Sequence, residues 1–203
     1  MVVTAVHQIA VHIYSLDEGR YKHRLHGEWR EGQLPSTNNG RHSRGFMLPY
    51  TAFVQREFHD PDRYPHGLAD AAAYWLEGEI FGGVMLFDRG QSDTDCKAIW
   101  MQGHRIHGAC TLYPPTTVQL DALIRFLLND TGVLANTPCP LPILATAENR
   151  PRWDTLDAFT DHHIFRNRYE REPKSPLISQ EAPNRFWCRR GPSMLDWPEC
   201  EDE

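Results

Sequence analysis

Apolar and polar positions alternate twice near the start of the chain. Ala5 to Tyr14 is rich in Val and Ile, and beyond the turn signal Asp17-Glu18-Gly19 a second alternation runs from Tyr21 to Trp29. A period of two marks a half-buried strand, so the two segments predict a β-hairpin. Positions 30–49 lose periodicity around Pro35-Ser36-Thr37-Asn38-Asn39-Gly40 and predict a long loop, the kind of segment that often carries function. Ala71 to Glu77 and Ile80 to Asp88 predict a second hairpin about Glu77-Gly78-Glu79. The alanines favour a helix over 68–78 instead, but Tyr74, Trp75 and the β-rich run Ile80 to Phe87 decide for strand. Asp88 to Asp95 then reads as a polar turn, and Cys96 to Gln102 as the returning strand.

Farther along, Pro114-Pro115 introduces a helix that Thr116 or Thr117 caps, with Leu120, Leu123, Ile124 and Leu127 at helical spacing and Gly132 past its end. Pro138 to Ala145 leads into a short strand. Asp154 caps a last helix running to about Arg171, with Leu156, Phe159, Phe165 and Tyr169 on its buried side. From 172 onward periodicity stops and the residues predict an extended tail, on which Phe186-Trp187 and Met194-Leu195-Asp196-Trp197 are candidates to dock. Strands and helices do not alternate, which argues against a doubly wound sheet. The expected fold is α+β: an antiparallel sheet of about five or more strands with two helices packed on one face, in a single domain over 1–171 followed by the tail 172–203.

Length and composition agree with a globular domain. The chain has 203 residues, 40% hydrophobic and 11% aromatic, enough to bury a core without staples. No apolar run reaches the ~20 residues of a membrane helix. The segment Met1 to Tyr14 lacks the basic lead of a signal peptide. The five cysteines (Cys96, Cys110, Cys139, Cys188 and Cys200) are widely spaced and odd in number, which predicts neither a disulfide scaffold nor a structural zinc site. A soluble protein of a reducing, cytoplasmic compartment is expected, without membrane, metal or cofactor.

The net charge is −6, yet of 21 basic residues 18 are Arg and only Lys22, Lys97 and Lys174 are Lys. Arg offers a planar fork for carboxylate and phosphate and stacks on bases. Coding bias with surface ion pairs is the plainer explanation of the excess.

No Gly-x-Gly-x-x-Gly, Walker loop, His-Glu-x-x-His or Gly-x-Ser-x-Gly is present. The densest chemistry lies in Phe87-Asp88-Arg89-Gly90-Gln91-Ser92-Asp93-Thr94-Asp95-Cys96. Amides around Gly90 could cradle an anion. Ser92 and Cys96 are candidate nucleophiles, each needing a base or a cationic neighbour such as Arg89 or Lys97. The alternative is a hairpin turn in which Asp88 pairs with Arg89 and Cys96 is a small core residue. Glu77, Glu79, Asp88, Asp93 and Asp95 could read a guanidinium. Arg150, Arg152, Arg166, Arg168 and Arg171 bracket the last helix as a phosphate-and-stacking surface with Trp153 and Tyr169, or else pair with Asp154, Asp157, Asp161 and Glu170.

Several of these segments resemble a set of small fungal proteins. They are Phe87-Asp88-Arg89-Gly90, Ser92 and Cys96, Leu112-Tyr113-Pro114, Cys139-Pro140-Leu141-Pro142-Ile143, Asn149-Arg150 and Ile164 to Arg171. The resemblance to that set covers roughly 5–171, and within or close to it the chain is similar to the arginine-containing cyclodipeptide synthases. That resemblance implies a cytoplasmic transferase of secondary metabolism that joins arginine to a second amino acid, both delivered by charged tRNA, without cofactor or metal. Under it, Cys96 or Ser92 is the nucleophile and Asp88 a base or guanidinium partner. Asp95, Arg89, Glu79 and Tyr74 bind substrate, and Arg41, Arg44, Arg150, Arg152, Arg166 and Arg168 contact tRNA. The bacterial enzymes of similar reaction use a Ser on a Rossmann-like domain, a pattern this chain does not show. A net charge of −6 requires the tRNA-facing surface to be locally basic.

Two rivals remain. One is a metal-independent nuclease-like enzyme using His59, Glu57 and Arg56, or the pair His104 and His107. The other is a non-catalytic binding module docking a partner through its tail and Arg surface.

Overall fold

The segment expected to open a hairpin is a helix. The computed structural model describes residues 2–16, 20–32, 53, 55, 57–58, 60–103, 109, 111–128 and 138–170. Helix α1 spans Val2–Ser15 and buries Val3, His7, Ala10, Val11 and Tyr14. Those five follow the helical period, and that stripe outweighs the strand preference of the individual Val and Ile residues. The second expected hairpin strand is likewise helix, α2 over Arg20–Gly32. Its Arg24 and Glu28 pair at i,i+4 across 3.6 Å, the spacing at which helix-surface charges meet. Most of the loop expected over 30–49, with Arg41 and Arg44, lies outside the described residues.

Helix α3 covers Leu68–Phe81 and corrects the strand expected over 71–77. Consecutive alanines are strong helix formers, and the supposed turn at Gly78 lies inside the helix. Gly82 stops it, at φ 84°, where a Cβ would meet the Ile143 carbonyl at 2.7 Å. Only glycine fits such a left-handed, crowded stop.

Contacts group the described residues into two units, one within Met1–Leu76 and one within Glu77–Pro173. In the first, Ala10, Val11 and Tyr14 of α1 pack with Ala69, Ala72 and Ala73 of α3, bordered by Phe53, Leu68 and Leu76. Beside them Tyr74 meets the rings of His7, Phe58 and Tyr64 at 4.5, 4.6 and 5.4 Å.

The second unit is built on an antiparallel sheet in the order β3-β2-β1-β4. Strand β1 is Gly83–Asp88, β2 Ile99–Gly103, β3 Leu112–Tyr113 and β4 Ile164–Phe165. The expected β1–β2 hairpin is present, with Met85 opposite Met101 and Leu86 opposite Trp100. Among the described residues the sheet has four strands, not five or more, because both early hairpin segments are helical and the stretch after Pro138 carries no strand.

Helix α4 runs over Thr117–Leu128, as its spacing predicts. Thr116 Oγ1 accepts from the Gln119 amide, and Gln119 Oε1 accepts from the Thr116 amide, a reciprocal capping box. Asp154 caps α5 by accepting from the Leu156 amide, but α5 ends at Thr160 rather than near 171. His163, at φ 53°, turns the chain into β4, where Phe165 pairs with Phe87. Leu156 and Tyr169, expected inside, are therefore exposed.

One buried ion pair ties this unit together. Arg166 donates Nη1 to Glu77 Oε1 at 2.7 Å and Nη2 to Oε2, and its Nε and Nη2 also reach the Met85 carbonyl. Both side chains are at least nine-tenths buried. Losing one member of such a pair leaves an uncompensated charge in the core, at a cost of about 3–5 kcal/mol, whereas apolar replacement of both is far milder. Urea unfolding of Glu77→Gln is expected to show that loss, and Glu77→Leu with Arg166→Met a much smaller one. Equal losses in the two variants would contradict a coupled pair.

Candidate functional site: the β1–β2 turn

The turn is closed at its base by the strand ladder. The Asp88 amide donates to Ala98 O and the Lys97 amide to Asp88 O, both at 2.9 Å. Inside, Gly90 takes φ 54° and donates its amide to Asp88 Oδ1 at 2.9 Å, an Asx turn. The Ser92 amide donates to Arg89 O and the Asp95 amide to Ser92 O. A Cβ on Gly90 would collide with the Lys97 side chain, which therefore crosses the turn at that glycine.

Arg89 fastens the turn to the chain beyond β4. Its Nε donates to Phe165 O at 3.2 Å, Nη1 to Asp95 O at 2.9 Å and Nη2 to Arg166 O. Its own amide donates to His163 O, and the guanidinium lies 4.9 Å from the Phe87 ring centroid. A rigid fork satisfying three carbonyls fixes backbone geometry in a way a flexible ammonium does not. Arg168 adds an exposed pair to Asp93 at 3.2 Å, which at this exposure contributes little.

The nucleophile candidates sit on this frame. Cys96 is exposed, its Sγ 4.0 Å from Ala98 O, and among the described residues no imidazole or carboxylate hydrogen-bonds to it. The small-core alternative for Cys96 is thereby set aside. Ser92 Oγ lies 2.9 Å from Thr94 Oγ1 and accepts from the Thr94 amide at 3.3 Å. Asp88 is half-buried and engaged with Gly90, while Asp93 and Asp95 are exposed.

The other candidates scatter. Glu79 is exposed on α3, and Tyr74 is buried in the first unit among aromatic rings. Arg150 is exposed and donates to Ala147 O. Arg152 is buried, donating to Thr146 O and lying 5.1 Å from the Tyr113 ring centroid. Arg166 is the buried partner of Glu77. Of the arginines assigned to a tRNA surface, Arg150 and Arg168 alone are exposed among the described residues. The rival's His59, Arg56, His104 and His107 lie outside the described residues, and Glu57 is exposed.

Sequence reasoning missed a cluster in the first unit. Asp70, buried, accepts from His7 Nε2 at 3.1 Å and from the His66 amide at 2.8 Å, with His66 Nδ1 at 3.4 Å. His66 is itself exposed. The i,i+4 spacing of His66 and Asp70 was visible in the sequence, but the 63-residue separation of His7 from Asp70 was not. Burial alone would raise the Asp70 carboxyl pKa. The His7 hydrogen bond, the His66 amide and the two imidazole charges outweigh it and hold the pKa below the ordinary carboxylate range. No group of three or more His, Cys, Asp or Glu among the described residues is arranged to hold a metal ion. None of their helices is long and apolar enough to cross a membrane.

Comparison with known proteins adds no relative: no family model, curated protein or solved structure matches the chain.

A carboxyl whose pKa is lowered in the fold stabilises it fully above its unfolded value near ~4, and the contribution fades as pH falls through the folded value. The stability difference between the wild type and Asp70→Asn is expected to shrink as pH falls below about 4, where the carboxyl takes up its proton. Urea midpoints between about pH 5 and about 3 measure it, and a difference that keeps growing through that window would contradict the assignment.

Proposed function

We propose that this chain condenses arginine with a second amino acid into a cyclic dipeptide, taking both from aminoacyl-tRNA, with the Cys96 thiol as nucleophile. One observation supports this reading most. The turn clamped by Arg89 presents an exposed thiol, a hydroxyl at Ser92 and the exposed carboxylates Asp93 and Asp95 on one fixed backbone. Carboxylates are the natural partners of an arginyl guanidinium.

The chemistry balances without oxidant or nucleotide. The Cys96 sulfur attacks the arginyl ester, its proton passes to the departing tRNA hydroxyl, and an arginyl thioester forms. The amine of the second aminoacyl-tRNA attacks that thioester, restoring the thiol and leaving a dipeptide on the second tRNA. The free arginyl amine then attacks the remaining ester, closing the ring and releasing the second tRNA hydroxyl. Ser92 is the alternative nucleophile through an ester. Of the arginines proposed for the tRNA backbone, Arg150 and Arg168 are the exposed ones among the described residues.

A second reading has one observation of its own. His66 is an exposed imidazole whose Nδ1 faces a buried carboxylate, the arrangement that orients a general base. It favours a metal-independent nuclease.

The deciding experiment is mass spectrometry of extracts from bacteria expressing the chain, against an empty vector. A new ion that takes up labelled arginine and vanishes with Cys96→Ala is expected. Loss with Ser92→Ala alone moves the nucleophile and keeps the function. Soluble protein giving no such ion contradicts the synthase. RNA cleavage by the wild type and not by His66→Ala would then support the nuclease.

A further inference from the structure

Helix α4 keeps part of its apolar side uncovered. Its spacing predicts a buried face through Leu120, Leu123, Ile124 and Leu127, yet only Leu123 is buried. Ile124 is 50%, Leu127 45% and Leu128 74% exposed, and Leu120 is half-buried. At about 3.6 residues per turn, Leu120, Ile124, Leu127 and Leu128 lie side by side on one face. Contiguous exposed apolar residues of this kind mark an interaction surface.

The charges beside that face identify what covers it. Asp121 and Arg125 are exposed and follow one another along the same flank, one turn apart. Among the described residues neither takes part in an ion pair. A parallel two-fold copy of α4 would turn this flank to opposite sides of the seam and bring neither charge to a partner. An antiparallel copy sets Asp121 against Arg125 twice over, because a two-fold interface repeats each contact with the roles exchanged. With the axis crossing between Leu123 and Ile124, Leu120 falls opposite Leu127, and Asp121 lies about one residue's rise from Arg125 of the other copy. The flank is thus complementary to itself in charge when the two helices run antiparallel.

We propose that α4 pairs antiparallel with α4 of a second copy of the chain, with Leu120, Ile124, Leu127 and Leu128 at the seam and reciprocal Asp121–Arg125 pairs on the flank. A single short helix buries less than a standard interface, so association is weak and concentration-dependent.

Sedimentation velocity from about 1 to about 300 µM, the range of weak association, reads it directly. The wild type is expected to pass from monomer to dimer. Asp121→Arg alone and Arg125→Asp alone each place like charges together and weaken the dimer by about tenfold or more. An equimolar mixture of these two variants restores opposite pairing and recovers a dimer between them. Ile124→Glu, which leaves the buried Leu123 in place, abolishes it, and circular dichroism of each variant verifies that the fold is kept. A wild type that stays monomeric throughout overturns the proposal. So does a dimer indifferent to the single reversals, or a mixture no stronger than its components. A dimer disrupted by Ile124→Glu but not by charge reversal overturns the antiparallel register.

Discussion

Arg166 stands where the last turn of α3, the centre of the sheet and the far side of the catalytic candidate meet. Its guanidinium holds Glu77 on α3 and the Met85 carbonyl on β1, while its own carbonyl accepts from Arg89. A buried charge cannot be left half-satisfied, so these groups are constrained together. Through Arg89 the constraint passes to Asp95 and thus to the backbone that carries Ser92 and Cys96. The β1–β2 turn is a surface segment whose shape is decided inside the fold.

That division separates two kinds of arginine. Arg89 and Arg166 spend their donors on protein carbonyls and carboxylate, buried Arg152 gives one to Thr146 O, and all three shape the unit. Arg150 and Arg168 reach solvent. Side-chain type says nothing about this distinction, since the same planar fork serves a core clamp and a phosphate contact. The turn shows the corresponding split among acids: Asp88 is used by the Gly90 amide, whereas Asp93 and Asp95 face outward.

What the sequence revealed follows from how local each signal is. The β1–β2 hairpin, the Thr116 cap and the Asp154 cap are each written within a few residues, and each is present. Helices α1 and α3 were misread because Val, Ile, Tyr and Trp favour strands one at a time, while a buried 3.6-residue stripe and an alanine run decide the segment as a whole. Strand β4 was hidden in the expected last helix because it is two residues long and follows a left-handed His163. The candidate turn was legible as a dense polar stretch between two apolar strands. Its clamp was not, because Arg89 reaches carbonyls 76 and 77 residues away and Arg166 a carboxylate 89 residues away. The Asp70 cluster combines both cases, one partner local and one distant.

The most direct test of this account is native-state hydrogen exchange at the turn amides of Arg89, Ser92, Asp95 and Lys97 in the wild type and in Glu77→Gln. Glu77 touches none of these amides, so a loss beyond the global one reaches them through Arg166, by way of Arg89 or of β1. The account predicts that all four lose protection together in the variant, beyond the loss expected from global stability. Turn amides that keep their wild-type protection while the α3–β1 junction loosens would contradict it.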